Sequence, residues 1–196
     1  MFGKLGDLAR ICAESCLGFI ARFFARFSMR FAVWRTKILV KRRESQIDLG
    51  VLGRYLSCNP LMPRDFSALP NLSMSQIATI RSESDLRALD EIQSQSPQNG
   101  AIIVDTSLQK DISLVANARH YTAFLIIHKD IFISTYQILE SLVYGADCVV
   151  LSSDILSDDS LETLQNYAQH LGLAVATTNK NGGIVIKSTN ESTISK

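Results

Sequence analysis

The feature of this sequence that most restricts its fold lies in residues 123–178, where short apolar runs alternate with amphipathic stretches of helical period. Phe124–Ile127 is continuously apolar and rich in Ile, the pattern of a strand buried on both faces. Ser134 offers an N-cap to a following helix whose Ile138, Leu139, Leu142 and Val143 share one face and which Gly145 ends. Val149–Leu151 is a second buried run. Ser157 offers the next N-cap, and Asp158 and Asp159 fall in the first turn, where negative charge suits the helix dipole. Leu161, Leu164, Ala168 and Leu171 form the apolar face of that helix, Gly172 stops it, and Leu173–Thr178 is a third run. Strand, helix, strand, helix, strand with short links requires a parallel sheet built from right-handed βαβ units.

The same period extends upstream. Gln76–Arg81 reads as a strand, Ser82-Glu-Ser-Asp85 as a capping box into a helix over Leu86–Ile92, and Ser94–Asn99 as a polar loop. Gly100–Asp105 reads as the next strand and Ser113–His120 as a short helix. Downstream the period breaks at Lys180-Asn-Gly-Gly183. Asn-Gly between apolar runs is a strong hairpin signal, because a type I′ turn needs positive φ at both central positions. Ile184–Lys187 is therefore expected to return antiparallel beside Leu173–Thr178, leaving Asn190–Lys196 as a polar tail.

Charge is unevenly spread. Residues 1–43 hold ten Lys/Arg against Asp7 and Glu14, a net of +8, whereas residues 44–196 carry a net of −7. Residues 7–31 read as an amphipathic helix with Arg22, Arg26 and Arg30 on one stripe and Phe19, Phe23, Phe27 and Phe31 on another. The Arg spacing forbids a spanning helix, and Glu14 interrupts any signal-peptide core. Such a helix can lie on an anionic membrane surface or against a partner, or pack on its own domain. A translation start at Met29 would leave it out altogether. Cys148 reads as a small core hydrophobe, and Cys12 and Cys16 lie one helical turn apart without a second pair or a His to complete a metal site. Nothing in the cysteine usage demands an oxidising compartment, so the cytoplasm is the expected location.

Leu125-Ile-Ile-His-Lys-Asp130, then Tyr136-Gln137, Gly145-Ala-Asp147 before Val-Val-Leu151, and Leu171-Gly-Leu-Ala-Val175 resemble the centre of the indole-3-glycerol phosphate synthase family. Pro63-Arg-Asp-Phe-Ser-Ala-Leu69 resembles the turn that leads from the family's N-terminal extension into its barrel, so the likeness runs from about Ile38 to Val175. It implies an α/β fold of the (β/α)8 type. Here the barrel is expected to be incomplete, with about five parallel strands, an antiparallel return strand and a helical extension folded over the barrel bottom or mouth. The expected divisions are a basic helix over 1–35, an extension over 36–70, the partial barrel over 71–190 and a tail over 191–196. A full barrel needs about 250 residues, which leaves no room here for strands six to eight or for the phosphate site in their loops.

The resemblance implies ring closure of 1-(2-carboxyphenylamino)-1-deoxyribulose 5-phosphate with loss of carbon dioxide and water, a step of tryptophan biosynthesis without a cofactor or metal. Its catalytic positions are only partly kept. The family's general-acid Lys falls on Lys129; its first-strand Glu and Lys fall on Thr79 and Arg81, and its fifth-strand Glu on Thr178. Alternation puts Lys129 on one face of its strand with Leu125 and Ile127, and His128 on the other, toward the helices. Burial would tune Lys129 as an acid. The plainer alternative is an ion pair with Asp130 or Asp105 and access to solvent. His128 reads as a packed core histidine, and His120 and His170 suit helix ends. No Gly-rich phosphate loop, zinc spacing or Ser/His/Asp set supplies other chemistry, and no helix-turn-helix or RNP pattern accompanies the basic arm, so nucleic acid is not an expected partner. The expected function is thus a synthase-like protein that takes a small phosphorylated substrate if active but is inactive as an isolated chain. The alternative is a binding or scaffold protein, with a membrane surface as one partner and oligomers as another.

Overall fold

Strands β1 (Ala78–Ile80), β2 (Ala101–Asp105), β3 (Leu125–Lys129), β4 (Cys148–Ser152) and β5 (Ala174–Thr178) pair in parallel in sequential order, and β6 (Ile184–Lys187) closes the sheet antiparallel to β5. The computed structural model describes residues 27–65, 77–89 and 100–178, with the backbone of 184–187. The return strand is where the sequence places it; the Asn181-Gly182 turn, the loop over Ser94–Asn99, the helix before residue 27 and the tail lie outside the described residues. β3 runs past its apolar core to include His128 and Lys129, because the ladder continues through the pairs Val104↔His128 and Asp105↔Lys129 whatever the side chains.

Sequential strand order puts every crossover on one side, as in a barrel and unlike a doubly wound sheet. Two clusters on the two faces bear this out. Alternate strand residues Val104, Ile126, Val149 and Val175 pack against α3 (Glu83–Arg87), α4 (Ser113–Tyr121), α5 (Thr135–Val143) and α6 (Asp158–His170) through Leu86, Val115, Leu142 and Leu164. The intervening residues Ile103, Ile127, Cys148, Val150 and Ala176 form a separate cluster on the inner face. The fold is α/β, with five parallel strands of the (β/α)8 type and one antiparallel return strand.

Local sequence sets most helix starts. Ser82 and Asp85 form the expected capping box at α3, and the Ser157 hydroxyl accepts from the Ser160 N–H at α6. Ser134 is the exception. It occupies the N-cap position of α5, but its hydroxyl makes no cap bond and is buried without a partner. Gln137 does the work instead: its Oε1 accepts from the Ile133 N–H at 2.9 Å and its Nε2 donates to the Ile131 carbonyl at 2.9 Å. The longer amide reaches both ends of the loop between β3 and α5, which a hydroxyl cannot.

Residues 27–46 form one helix, α1, which runs through residue 35, and Asp48 caps α2 (Leu49–Ser57). Val40 of α1 and Leu52 of α2 pack on Tyr136 and Leu139 of α5, so the described extension lies on the outer side of the helical layer. Its described apolar contacts are with α5 and not with the inner-face cluster. The chain then passes under the N-terminal ends of the strands, where Asn59 donates to the Val143 carbonyl (2.9 Å) and Arg119 of α4 donates to that of Met62 (2.8 Å). Arg64 ends this path. Its guanidinium donates to the Ala123 and Phe124 carbonyls and to Asp147, and its backbone N–H donates to Asp147 Oδ1 at 2.8 Å.

Asp147 is fully buried and collects further donors. Arg119 Nη1 reaches Oδ1 at 2.6 Å, and the Ile126 N–H reaches Oδ2 at 2.8 Å. Its backbone N–H donates to the Ile126 carbonyl, and its own carbonyl accepts from Ala174, which knits β3 and β5 to the start of β4. Gly145 makes the approach: it has φ +91°, and a Cβ there would lie 2.9 Å from Arg119 Cγ.

Two outcomes follow from these contacts. Breaking one side of a buried, hydrogen-bonded ion pair typically costs about 3–5 kcal/mol, so Arg64→Ala is expected to lower the free energy of unfolding in urea by about that amount. Arg64→Lys should recover only part of the loss, because lysine lacks the planar fork. The second concerns Glu140, which anchors α1 through Arg43 at 2.9 Å. Burial raises the Glu140 carboxyl from 4.5 to about 7 against the opposing pull of Arg43, so the native state takes up a proton that the unfolded chain releases in that interval. Its contribution to stability is present below pH 4.5 and lost as pH rises through about 7. Urea titrations across this range are expected to show that loss, with a flatter profile in Glu140→Gln.

Candidate functional site at the strand C-termini

At the C-terminal end of the sheet the inner face becomes polar. β2 ends in Asp105, whose register partner on β3 is Lys129. Among the described strand residues Asp105 is the only carboxylate. Lys129 Nζ lies 3.1 Å from Asp105 Oδ2, and Arg81, just past β1, brings Nε to 3.9 Å from the same oxygen. Ser107 donates its N–H (3.1 Å) and its hydroxyl (2.5 Å) to Asp105 Oδ1. Burial alone would push the Asp105 carboxyl up, but the Ser107 donors and the Lys129 charge outweigh it and hold the carboxyl below its ordinary value. The Lys129 side chain is 39% exposed, so its ammonium faces a carboxylate and water rather than an apolar pocket.

The other anticipated residues lie nearby without joining this cluster. Thr79 is half-buried on β1 in register with Ile103, one layer nearer the strand N-termini than Asp105. Thr178 ends β5 in register with Ser152, to whose Oγ it donates at 3.3 Å. The structure therefore brings Arg81 and Lys129 together around Asp105 and leaves the two threonines apart from them. Of the two ion-pair partners open to Lys129, the register selects Asp105. Asp130 instead holds Lys110 and accepts from the Ile131 N–H at 2.6 Å. Lys110, at φ 61° in the loop after β2, escaped the sequence reading. Nothing in its surroundings of Gln109 and Asp111 marks it as the buried partner of a residue twenty positions away.

Behind the mouth His128 is fully buried between sheet and helices. The Ser141 hydroxyl donates to the Gln137 carbonyl at 2.7 Å, so its oxygen accepts from His128 Nδ1–H at 2.8 Å. Nε2 then accepts from the Thr106 hydroxyl at 2.9 Å. The Phe132 ring stands edge-on at 5.3 Å. This is the packed core histidine that strand alternation predicts. Burial, the largest effect, lowers its pKa to about 4, with the Asp130 charge opposing and those of Arg43 and Lys110 adding to the fall. Among the described residues no cluster of three or more His, Cys, Asp or Glu could hold a metal ion.

The sequence profile of the family described as indole-3-glycerol phosphate synthase matches residues 105–183, from the Asp105 mouth through β5. The indole-3-glycerol phosphate synthase of Campylobacter curvus is 36% identical over 165 residues, covering 72% of this chain and 60% of the relative. Those of Campylobacter hominis and Sulfurimonas denitrificans are each 34% identical over 155 residues, with 71% of this chain and 59% of the relative covered. These matches make the chain similar to the indole-3-glycerol phosphate synthase family. The chain spans about 60% of the length of the relatives it matches.

The motif residues shared with this family now have physical roles. Tyr136 packs on the extension, Gln137 clamps the loop before α5, and Asp147 receives Arg64. Because His128 donates through Nδ1 and accepts at Nε2, long-range 1H–15N NMR is expected to show the Nδ1–H tautomer, unprotonated down to about pH 5. The unfolded chain takes up this proton near pH 6.5 and the native state near pH 4, so His128 should contribute a loss of stability as pH falls across that interval.

Proposed function

We propose that this protein carries a synthase-type mouth that no longer closes the indole ring. The observation that carries the reading is the Asp105–Lys129 pair at 3.1 Å. The resemblance gives Lys129 the role of general acid, and here its ammonium is paired with a carboxylate and open to solvent. Thr79 and Thr178 stand where the resemblance implies the two catalytic carboxylates. A hydroxyl neither carries the negative charge that stabilises a developing cation nor accepts a proton near neutral pH. Removing one electrostatic contributor commonly costs on the order of a hundredfold in rate, and two are replaced here. Arg81 keeps the positive charge that would meet the substrate carboxylate, but its guanidinium stays protonated and it presents a broader fork than a lysine.

The reading keeps the family's setting, tryptophan biosynthesis and a small phosphorylated substrate, and places the protein in the cytoplasm, where the free thiols of Cys58 and Cys148 are at home. It assigns residues 36–70 to the extension and 71–190 to the barrel part. Arg81 and Lys129 would hold the anionic substrate without turning it over. Purified protein mixed with 1-(2-carboxyphenylamino)-1-deoxyribulose 5-phosphate is expected to give no rise in indole fluorescence above buffer. Turnover that disappears in Lys129→Ala would overturn the proposal and restore the enzyme.

A further inference from the structure

Helix α1 docks by one face and leaves the opposite one bare. Thr36 and Val40 are buried and Arg43 reaches Glu140, so these positions face the protein. At about 100° per residue, Phe27, Phe31, Trp34 and Ile38 fall within an arc of about 60° on the far side. They are 64, 56, 57 and 48% exposed. The rings of Phe31 and Trp34 touch, with centroids 5.7 Å apart, so the stripe is continuous. Exposed cations border it on both sides: Arg30, Lys37 and Lys41 along one edge, Arg35 and Arg42 along the other. Glu44 is the first carboxylate in the described part of the helix, and it lies beyond the stripe. Asp154, in the turn after β4, lines a groove beside Lys37 at the edge toward the domain.

We propose that this face of α1 seats the protein on an anionic lipid surface. An apolar stripe flanked by cations is the arrangement that lets aromatic rings enter the acyl boundary while ammonium and guanidinium groups meet phosphates. Charge complementarity selects lipid over a second protein. Cations line the whole length of the apolar stripe. A second copy would set these cations against their like. The net charge of −7 on residues 44–196 turns the rest of the molecule away from an anionic surface, so binding through α1 alone also fixes the orientation. The sequence before residue 27 continues the four-residue spacing of Phe and Arg through Phe19, Arg22, Phe23 and Arg26, although these lie outside the described residues. Among the described residues no helix is long and apolar enough to cross a membrane, so the contact is with the surface.

Trp34 is the only tryptophan of the chain and lies in the middle of the stripe, so its emission reports the contact directly. Full-length protein titrated with vesicles of phosphatidylglycerol and phosphatidylcholine is expected to show a blue shift and quenching by brominated acyl chains. Both should be weak on pure phosphatidylcholine and reversed by salt. Each cation near an anionic surface strengthens partitioning about fivefold, so Lys37→Glu/Lys41→Glu should weaken it by at least about 25-fold. Phe31→Ser should also weaken binding. Both variants change exposed side chains, and unchanged melting temperatures will show that they fold. Three results would overturn the proposal: no blue shift at low salt, equal binding of the charge-reversed variant, or a concentration-dependent dimer in which Trp34 is shielded from iodide without lipid. A Trp34 response to oligonucleotides with none to vesicles would overturn it in favour of nucleic acid. None of these outcomes depends on whether the mouth is catalytic.

Discussion

Asp147 is a carboxylate with no exposed surface, held at the N-terminal end of the sheet by two guanidiniums and two backbone N–H groups. A charge in that position is tolerated only if its oxygens are fully served. Its donors come from the extension, from α4 and from the start of β3, so satisfying one residue fixes the relation of three separate pieces of chain. Gly145 belongs to the same arrangement, since its left-handed backbone steers the chain off α5 and its missing Cβ leaves room for Arg119. The Pro-Arg turn and the Gly-Ala-Asp run are two halves of one contact.

The two ends of the sheet therefore do different things. In (β/α)8 proteins the N-terminal ends of the strands serve stability and the C-terminal ends serve chemistry. At the C-terminal end of this sheet the charged groups satisfy one another. Lys129 and Arg81 face Asp105, Lys110 faces Asp130, and His128 is kept neutral by burial between two hydroxyls. Among the described residues, a dense group of exposed cations lies instead on the outward side of α1.

Much of this was legible in the sequence, for a local reason. Short apolar runs marked β2 to β5, and the helical period marked α5 and α6. Strand alternation correctly set Lys129 and His128 on opposite faces, because a period of two needs no tertiary information. Ser134 takes the N-cap position that the sequence gives it, but its hydroxyl makes no cap bond, and the loop before α5 is held by Gln137 instead. The partner of Lys129 stayed open between Asp105 and Asp130, since spacing along the chain does not decide between them and strand register does.

What the sequence determined by itself was the alternation of elements, the parallel connectivity with its antiparallel return, and the faces on which Lys129 and His128 lie. These depend on chirality and on periods of two to four residues, which act over a single turn or strand. Tertiary structure decided which charges meet and where the extension lies. Arg64 and Asp147 are 83 residues apart, and Lys110 and Asp130 are 20 apart. Contacts at such separations are set by register and by the packing of whole elements, neither of which is written into a local pattern of residues. The same packing left Phe31 and Trp34 exposed, because α1 turned its Thr36 and Val40 face toward α2 and α5.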